Sequence, residues 1–86
     1  MGFVPYSDME RINEKIKAAA VFEDNNIKPK WFVWKNRKYA ITETTYSWKT
    51  KSGEEQVIHF SVTDGNTLFE ISYNQKTLKW VLEKTE

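Results

Sequence analysis

Ser7-Asp8-Met9-Glu10-Arg11-Ile12-Asn13-Glu14-Lys15-Ile16-Lys17-Ala18-Ala19-Ala20-Val21-Phe22 is the stretch whose reading decides the fold class. Ser7 and Glu10 form a capping box: the hydroxyl can accept from the Glu10 amide while the Glu10 carboxylate reaches back. Asp8 and Glu10 set negative charge at the positive end of the helix that would follow. Met9, Ile12, Ile16, Ala19 and Ala20 recur at helical spacing and make one apolar stripe, with Arg11, Asn13, Glu14, Lys15 and Lys17 opposite. These signals predict an amphipathic helix over about 7–22, packed by its stripe on whatever sheet follows. Asp24-Asn25-Asn26 are turn formers and Pro29 forbids helix just before it, so residues 23–29 read as a linker.

From Lys30 to Lys84 the chain alternates strand and turn, with turn signals at Asn36-Arg37, Ser52-Gly53, Asp64-Gly65-Asn66 and Gln75-Lys76. Two-residue loops at these points pair Trp34 with Tyr39, Thr45 with Phe60, Phe60 with Phe69 and Tyr73 with Leu78. Cross-strand partners share a face. Phe32, Trp34, Tyr39, Ile41, Ile58, Phe60, Val62, Phe69, Ile71, Tyr73, Leu78, Trp80 and Leu82 therefore fall together and form the expected core. A one-residue slip would scatter them, so the agreement of four separate turns carries weight. The predicted fold is α+β: an N-terminal amphipathic helix on a twisted five-stranded antiparallel β-meander in sequential order. It makes one domain over residues 1–86, with edges at Lys30–Lys35 and Leu78–Lys84.

Size supports a single domain. Four Trp, five Phe and four Tyr supply large apolar surfaces to so short a chain. Cysteine is absent, which removes disulfides and thiolate metal sites. The first six residues lack a secretory pattern, Tyr6 breaks the myristoylation pattern, and no apolar run reaches the roughly 18 residues of a membrane span. A soluble cytoplasmic protein is the expectation. The net charge of +1 is unevenly spread: residues 28–51 hold seven basic groups against Glu43 alone, flanked by segments of net −2 and −3.

The second sheet face should be polar, yet it carries Trp31, Tyr46 and Trp48, near the basic residues Lys35, Arg37, Lys38 and Lys49. Aromatic rings beside phosphate-seeking cations are what a single-stranded nucleic-acid surface needs. A pI near 7.9 lies below the range usual for such domains. Self-association or a protein partner is the other use of exposed aromatics. The structural alternative is that Phe3, Val4 and Tyr6 fold over Trp31 and Trp48. His59, the one histidine, faces Tyr46 and Glu70 across strands, too few groups for a zinc site. Glu54 and Glu55 sit at a hairpin as solvated charge. No metal, no cofactor and no catalytic residue is expected.

Lys28-Pro29-Lys30-Trp31-Phe32-Val33-Trp34-Lys35-Asn36-Arg37-Lys38-Tyr39-Ala40-Ile41, with Trp48 and Leu78-Lys79-Trp80-Val81-Leu82, resembles a family of small uncharacterised bacterial β-meander domains. The resemblance spans residues 28–84. Family members often have glycine in the first turn, where this chain has Asn36. Similar domains attached to polymerase-like DNA-repair proteins imply a leaning toward nucleic acid. The resemblance carries a fold and no assigned functional residue.

The expected function is thus a non-catalytic binding or accessory module. Its contact surface would be Trp31, Lys35, Arg37, Lys38, Tyr46, Trp48, Lys49 and His59. The alternative is a single-stranded nucleic-acid-binding domain using the same face and the basic 35–38 hairpin.

Overall fold

A computed structural model describes residues 9–86. Seven antiparallel strands follow one another: β1 (Glu10–Glu23), β2 (Asn26–Trp34), β3 (Arg37–Ala40), β4 (Glu43–Ser52), β5 (Glu55–Thr63), β6 (Leu68–Asn74) and β7 (Lys79–Thr85). Their spatial order is β3-β2-β1-β7-β6-β5-β4. The fold is all β, with no helix among the described residues, and this corrects the α+β expectation.

The segment expected to be a helix is the longest strand, and the reason lies in its neighbours. Residues 10–16 pair with β7, and residues 17–23 pair with β2. As a helix, this segment would leave both β2 and β7 with an open edge. As a strand it serves two ladders in succession and joins them into one curled sheet, much as a bent strand turns a corner between sheets. Ile12, Ile16 and Ala18 are partly buried against the core, while Arg11, Lys15 and Lys17 are exposed. Asn13, with φ of 56°, falls at the register shift between Arg11 and Glu14. The proposed cap cannot be followed to its start, because Ser7 and Asp8 lie outside the described residues; Glu10 is already strand.

The expected linker is also strand. Asp24 and Asn25 have φ of 50° and 62°, and β2 begins at Asn26. Lys35 and Asn36 repeat this at 52° and 61°. Positive φ at both central residues marks the I′ turn that suits the twist of a hairpin. Pro29, which cannot donate to a ladder, stands opposite Ala20 at a second register shift.

The single second strand expected from the sequence divides at Ile41-Thr42 into β3 and β4, the two edges of the sheet. These two residues bridge the curl. The Ile41 amide donates to the Lys30 carbonyl of β2 (2.9 Å), and the Thr42 amide donates to the Thr63 carbonyl of β5 (2.9 Å). The result is a half-barrel whose edges share a chain crossing but no ladder. From β4 to β7 the order is a true meander.

Phe32, Ile58, Phe60, Val62, Phe69, Ile71, Tyr73 and Leu82 fill the inside of the curl. Phe32 meets Phe69 edge-on at 5.0 Å, which clamps the β1–β3 ladder against the larger one. The four expected turns were each displaced, and the pairings next to them move by two residues: Phe32 faces Tyr39, Ser47 faces Phe60, Phe60 faces Ile71 and Tyr73 faces Trp80, while bulges at Thr44/Tyr46 and Glu70/Ile71 change the count farther along the β4–β5 and β6–β7 ladders. A shift of two keeps every side chain on its face, so the core set survives with one exception. Leu78 lies in the β6–β7 turn with φ of 62° and is 67% exposed.

Candidate functional site

The expected contact residues separate into three groups. On β2 and β3, Lys38 Nζ stands 4.6 Å from the centre of the Trp31 ring. In the same hairpin, Lys35 Nζ caps Trp34 at 4.8 Å and the Arg37 guanidinium lies 5.4 Å from the Tyr39 ring. Three cations of the basic centre are therefore engaged with this hairpin's own rings. Lys49 faces Ile58 in the register and lines the gap of about 690 Å³ at the mouth of the curl, with Phe22, Ile58, Phe60 and Tyr73. It is on the opposite side of the strand from Trp48.

Tyr46, Trp48 and His59 form the third group, on the outside of the sheet. Trp48 faces His59, and their rings stack at 5.1 Å with planes 6° apart. Tyr46 stacks on Trp48 at 5.5 Å and 28°. The alternation of a strand explains the set: residues 46 and 48 point outward two positions apart, and His59 answers from β5. Tyr46 is 66% exposed.

Beneath the rings runs a polar string. The Thr50 hydroxyl and His59 Nε2 are 2.9 Å apart, and His59 Nδ1 lies 3.3 Å from Glu70 Oε2. Glu70 is only 4% exposed, and its Oε1 finds no hydrogen-bond partner among the described residues. One row across three strands reads Tyr46, Ser61, Glu70. Ser61 is the small member of that row, and a cleft of about 410 Å³ opens there, lined by Met9, Tyr46, Trp48, Ser61 and Glu70.

A hydroxyl, an imidazole and a carboxylate in sequence is the order of a nucleophilic triad. Thr50 is not among the residues that line the cleft, so the hydroxyl of the string does not border the place a substrate could occupy. The three groups are diagonal neighbours on adjacent strands, a spacing the sheet supplies by itself. No group of three or more His, Cys, Asp or Glu suited to a metal ion occurs among the described residues. No helix among them is long and apolar enough to cross a membrane.

Sequence reasoning placed Tyr46, Trp48 and His59 on one face and set Glu70 opposite His59, but it passed over Glu70 and Ser61 as site residues. The signal was present: a carboxylate between Phe69 and Ile71 in a central strand. Thr50 was equally legible, two residues beyond Trp48 on the same side. Met9 was hidden by the helical reading. The cover expected from Phe3, Val4 and Tyr6 lies outside the described residues. No protein-family model, curated protein or solved structure matches this chain.

Proposed function

We propose that this protein is a non-catalytic binding module whose contact surface is the outer face of β4, β5 and β6 around Tyr46 and Trp48. The observation that carries this reading is the stacked Tyr46–Trp48–His59 series beside a cleft, on a face where an antiparallel sheet ordinarily shows polar side chains. Exposed aromatic area of this kind marks an interaction site. The cleft volume falls within the roughly 300–1,000 Å³ of small-molecule sites.

Single-stranded nucleic acid fits this surface less well. The basic hairpin holds its cations against Trp31, Trp34 and Tyr39, and it belongs to the other ladder. Glu70 is among the residues that line the cleft, and its negative charge repels phosphate.

An NMR screen of the labelled protein against small amines, short peptides and single-stranded oligonucleotides at about 50 and 200 mM salt tests the reading. Binding shifts should gather on Tyr46, Trp48 and Ser61, and Tyr46→Ala should remove them while the spectrum stays folded. Shifts confined to the 35–38 hairpin, fading steeply with salt, would overturn it in favour of nucleic acid.

A further inference from the structure

We infer that the notch where β1 parts from β7 binds an amphipathic anion: a carboxylate or phosphate carried on an alkyl chain or ring. The notch shares no residue with the cleft beside Tyr46 and Trp48, so it does not depend on that surface. Ile16 is the last residue of β1 opposite β7, facing Trp80, and from Lys17 onward the strand pairs with β2 instead. The ladder to β7 ends there. Leu78 and Lys79 stand at its open end, and a cavity of about 530 Å³ results. Ala18, with a single methyl, keeps the space open between Trp31 and the β6–β7 turn. The volume falls within the roughly 300–1,000 Å³ of small-molecule sites.

The lining is of two kinds. Trp31, Trp80, Leu78 and Ile16 offer apolar surface, while Lys15, Lys17 and Lys79 offer positive charge; no acidic residue among those described borders the notch. Lys15 and Lys17, two apart on a strand, share a face. None of the three lysines makes an ion pair among the described residues. Glu14, the acid next to Lys15 in the chain, accepts from Trp34 Nε1 at 3.2 Å. Lys38, 4.6 Å from the centre of the Trp31 ring, brings a fourth positive charge close by. Like charges gathered at low-dielectric walls hold a positive potential that draws an anion. Leu78 supplies an independent observation. It is held at φ of 62°, where a side chain is strained, and its apolar surface is mostly exposed. Strain of this kind clusters where ligands are clamped. An apolar tail would cover Leu78 and the rings while its anionic end meets the lysines.

The test is a titration followed by NMR at pH 7 and fixed ionic strength, with octanoate, octylammonium and 1-octanol. Octanoate should shift the Leu78 methyl signals and the Trp31 and Trp80 indole signals. It should bind at least about tenfold more tightly than 1-octanol, the size of one hydrogen bond to a charged group. Octylammonium, which the lysines repel, should bind more weakly than either. Lys17→Gln combined with Lys79→Gln should bring octanoate to the affinity of 1-octanol, and Leu78→Gly should weaken both. Octanoate binding no tighter than 1-octanol or octylammonium in the wild-type protein overturns the inference, as does no binding of octanoate; neither comparison depends on a variant folding. Given octanoate binding, sedimentation with phosphatidylglycerol vesicles but not with phosphatidylcholine vesicles identifies a lipid headgroup as the source of the anion. Octanoate binding without sedimentation identifies a free amphiphile. If oligothymidylate moves the same signals and octanoate does not, the lysines serve a phosphate backbone and the inference fails. If the octanoate shifts gather at Tyr46 and Trp48 instead, the notch fails while the contact surface stands.

Discussion

Trp48 lies flat against His59, ring centres 5.1 Å apart and planes 6° apart, while Tyr46 lies on Trp48 and opens to solvent. The stack makes Trp48 half-buried without placing it in the core. Each stacked pair is worth about 0.5–1.5 kcal/mol, so Trp48→Ala should cost about 1–3 kcal/mol. Tyr46→Ala, at an exposed position, should cost less than about 1 kcal/mol. Phe32→Ala, by contrast, empties a fully buried site and should cost about 3–5 kcal/mol. Urea denaturation of the three variants checks the order. A Trp48→Ala cost equal to that of Phe32→Ala would make Trp48 a core residue.

The loop between β5 and β6 is pinned by Asp64. Burial pushes its carboxyl up, but the amides of Thr67 and Asn66, its own amide and the charge of Arg37 outweigh this and hold it below the usual carboxylate range. The Thr67 and Asn66 amides donate at 2.7 and 2.9 Å. A depressed folded pKa means that ionised Asp64 stabilises the fold above its unfolded pKa, about 3.9. That stability is lost as pH falls through the lower folded value. Asp64→Asn should therefore be less stable than wild type at pH 7, and the gap should close as pH falls below about 4. Chemical denaturation across pH 2–8 reads this directly, and a gap that persists at pH 2 refutes it.

Leu78 occupies the left-handed region at φ of 62° and is mostly exposed. A side chain with a Cβ pays about 1–2 kcal/mol there, and glycine does not. The Asn74 side chain already holds the loop through the amides of Lys76 and Thr77, so the turn does not need the leucine for its shape. Leu78→Gly should raise stability by about 1 kcal/mol, or about 4–8 °C in Tm for a domain of this size. A fall in Tm would show that Leu78 contributes more by covering the neighbouring Trp80 and Trp31, beside which it lines a groove.

What the sequence made legible followed from period. Strand alternation after Lys30 put the core on one face, and even register shifts of two could not undo it, because the side-chain repeat is also two. The outward placement of Tyr46, Trp48 and His59 was readable for the same reason. The first element was not, because Ile12 and Ile16 are four apart, a spacing that satisfies both helix and strand, and the alanine run carried helical propensity. The deciding information, two edges in need of a partner, is tertiary. The division at Ile41-Thr42 was likewise hidden: no glycine or proline marks the crossing, and the chain turns there to reach Lys30 and Thr63 at once.

The strand identity of residues 10–23 yields a prediction of opposite sign to that of a helix. Lys17 is exposed and faces Val33 across the β1–β2 ladder. Threonine in its place would lower the stability of a helix by some tenths of a kcal/mol, since a β-branched residue loses rotamer freedom against the preceding turn. In a strand beside a valine, the branched side chain packs on its neighbour, and the measured preference spans about 1 kcal/mol. Lys17→Thr should thus be neutral or stabilising, by up to about 0.5 kcal/mol. Urea denaturation supplies the sign, and hydrogen exchange supplies the ladder: amides of residues 14–21 should be protected to the same degree as those of β6. Destabilisation by Lys17→Thr, with rapid exchange through that segment, would reject β1 as the strand that joins the two ladders.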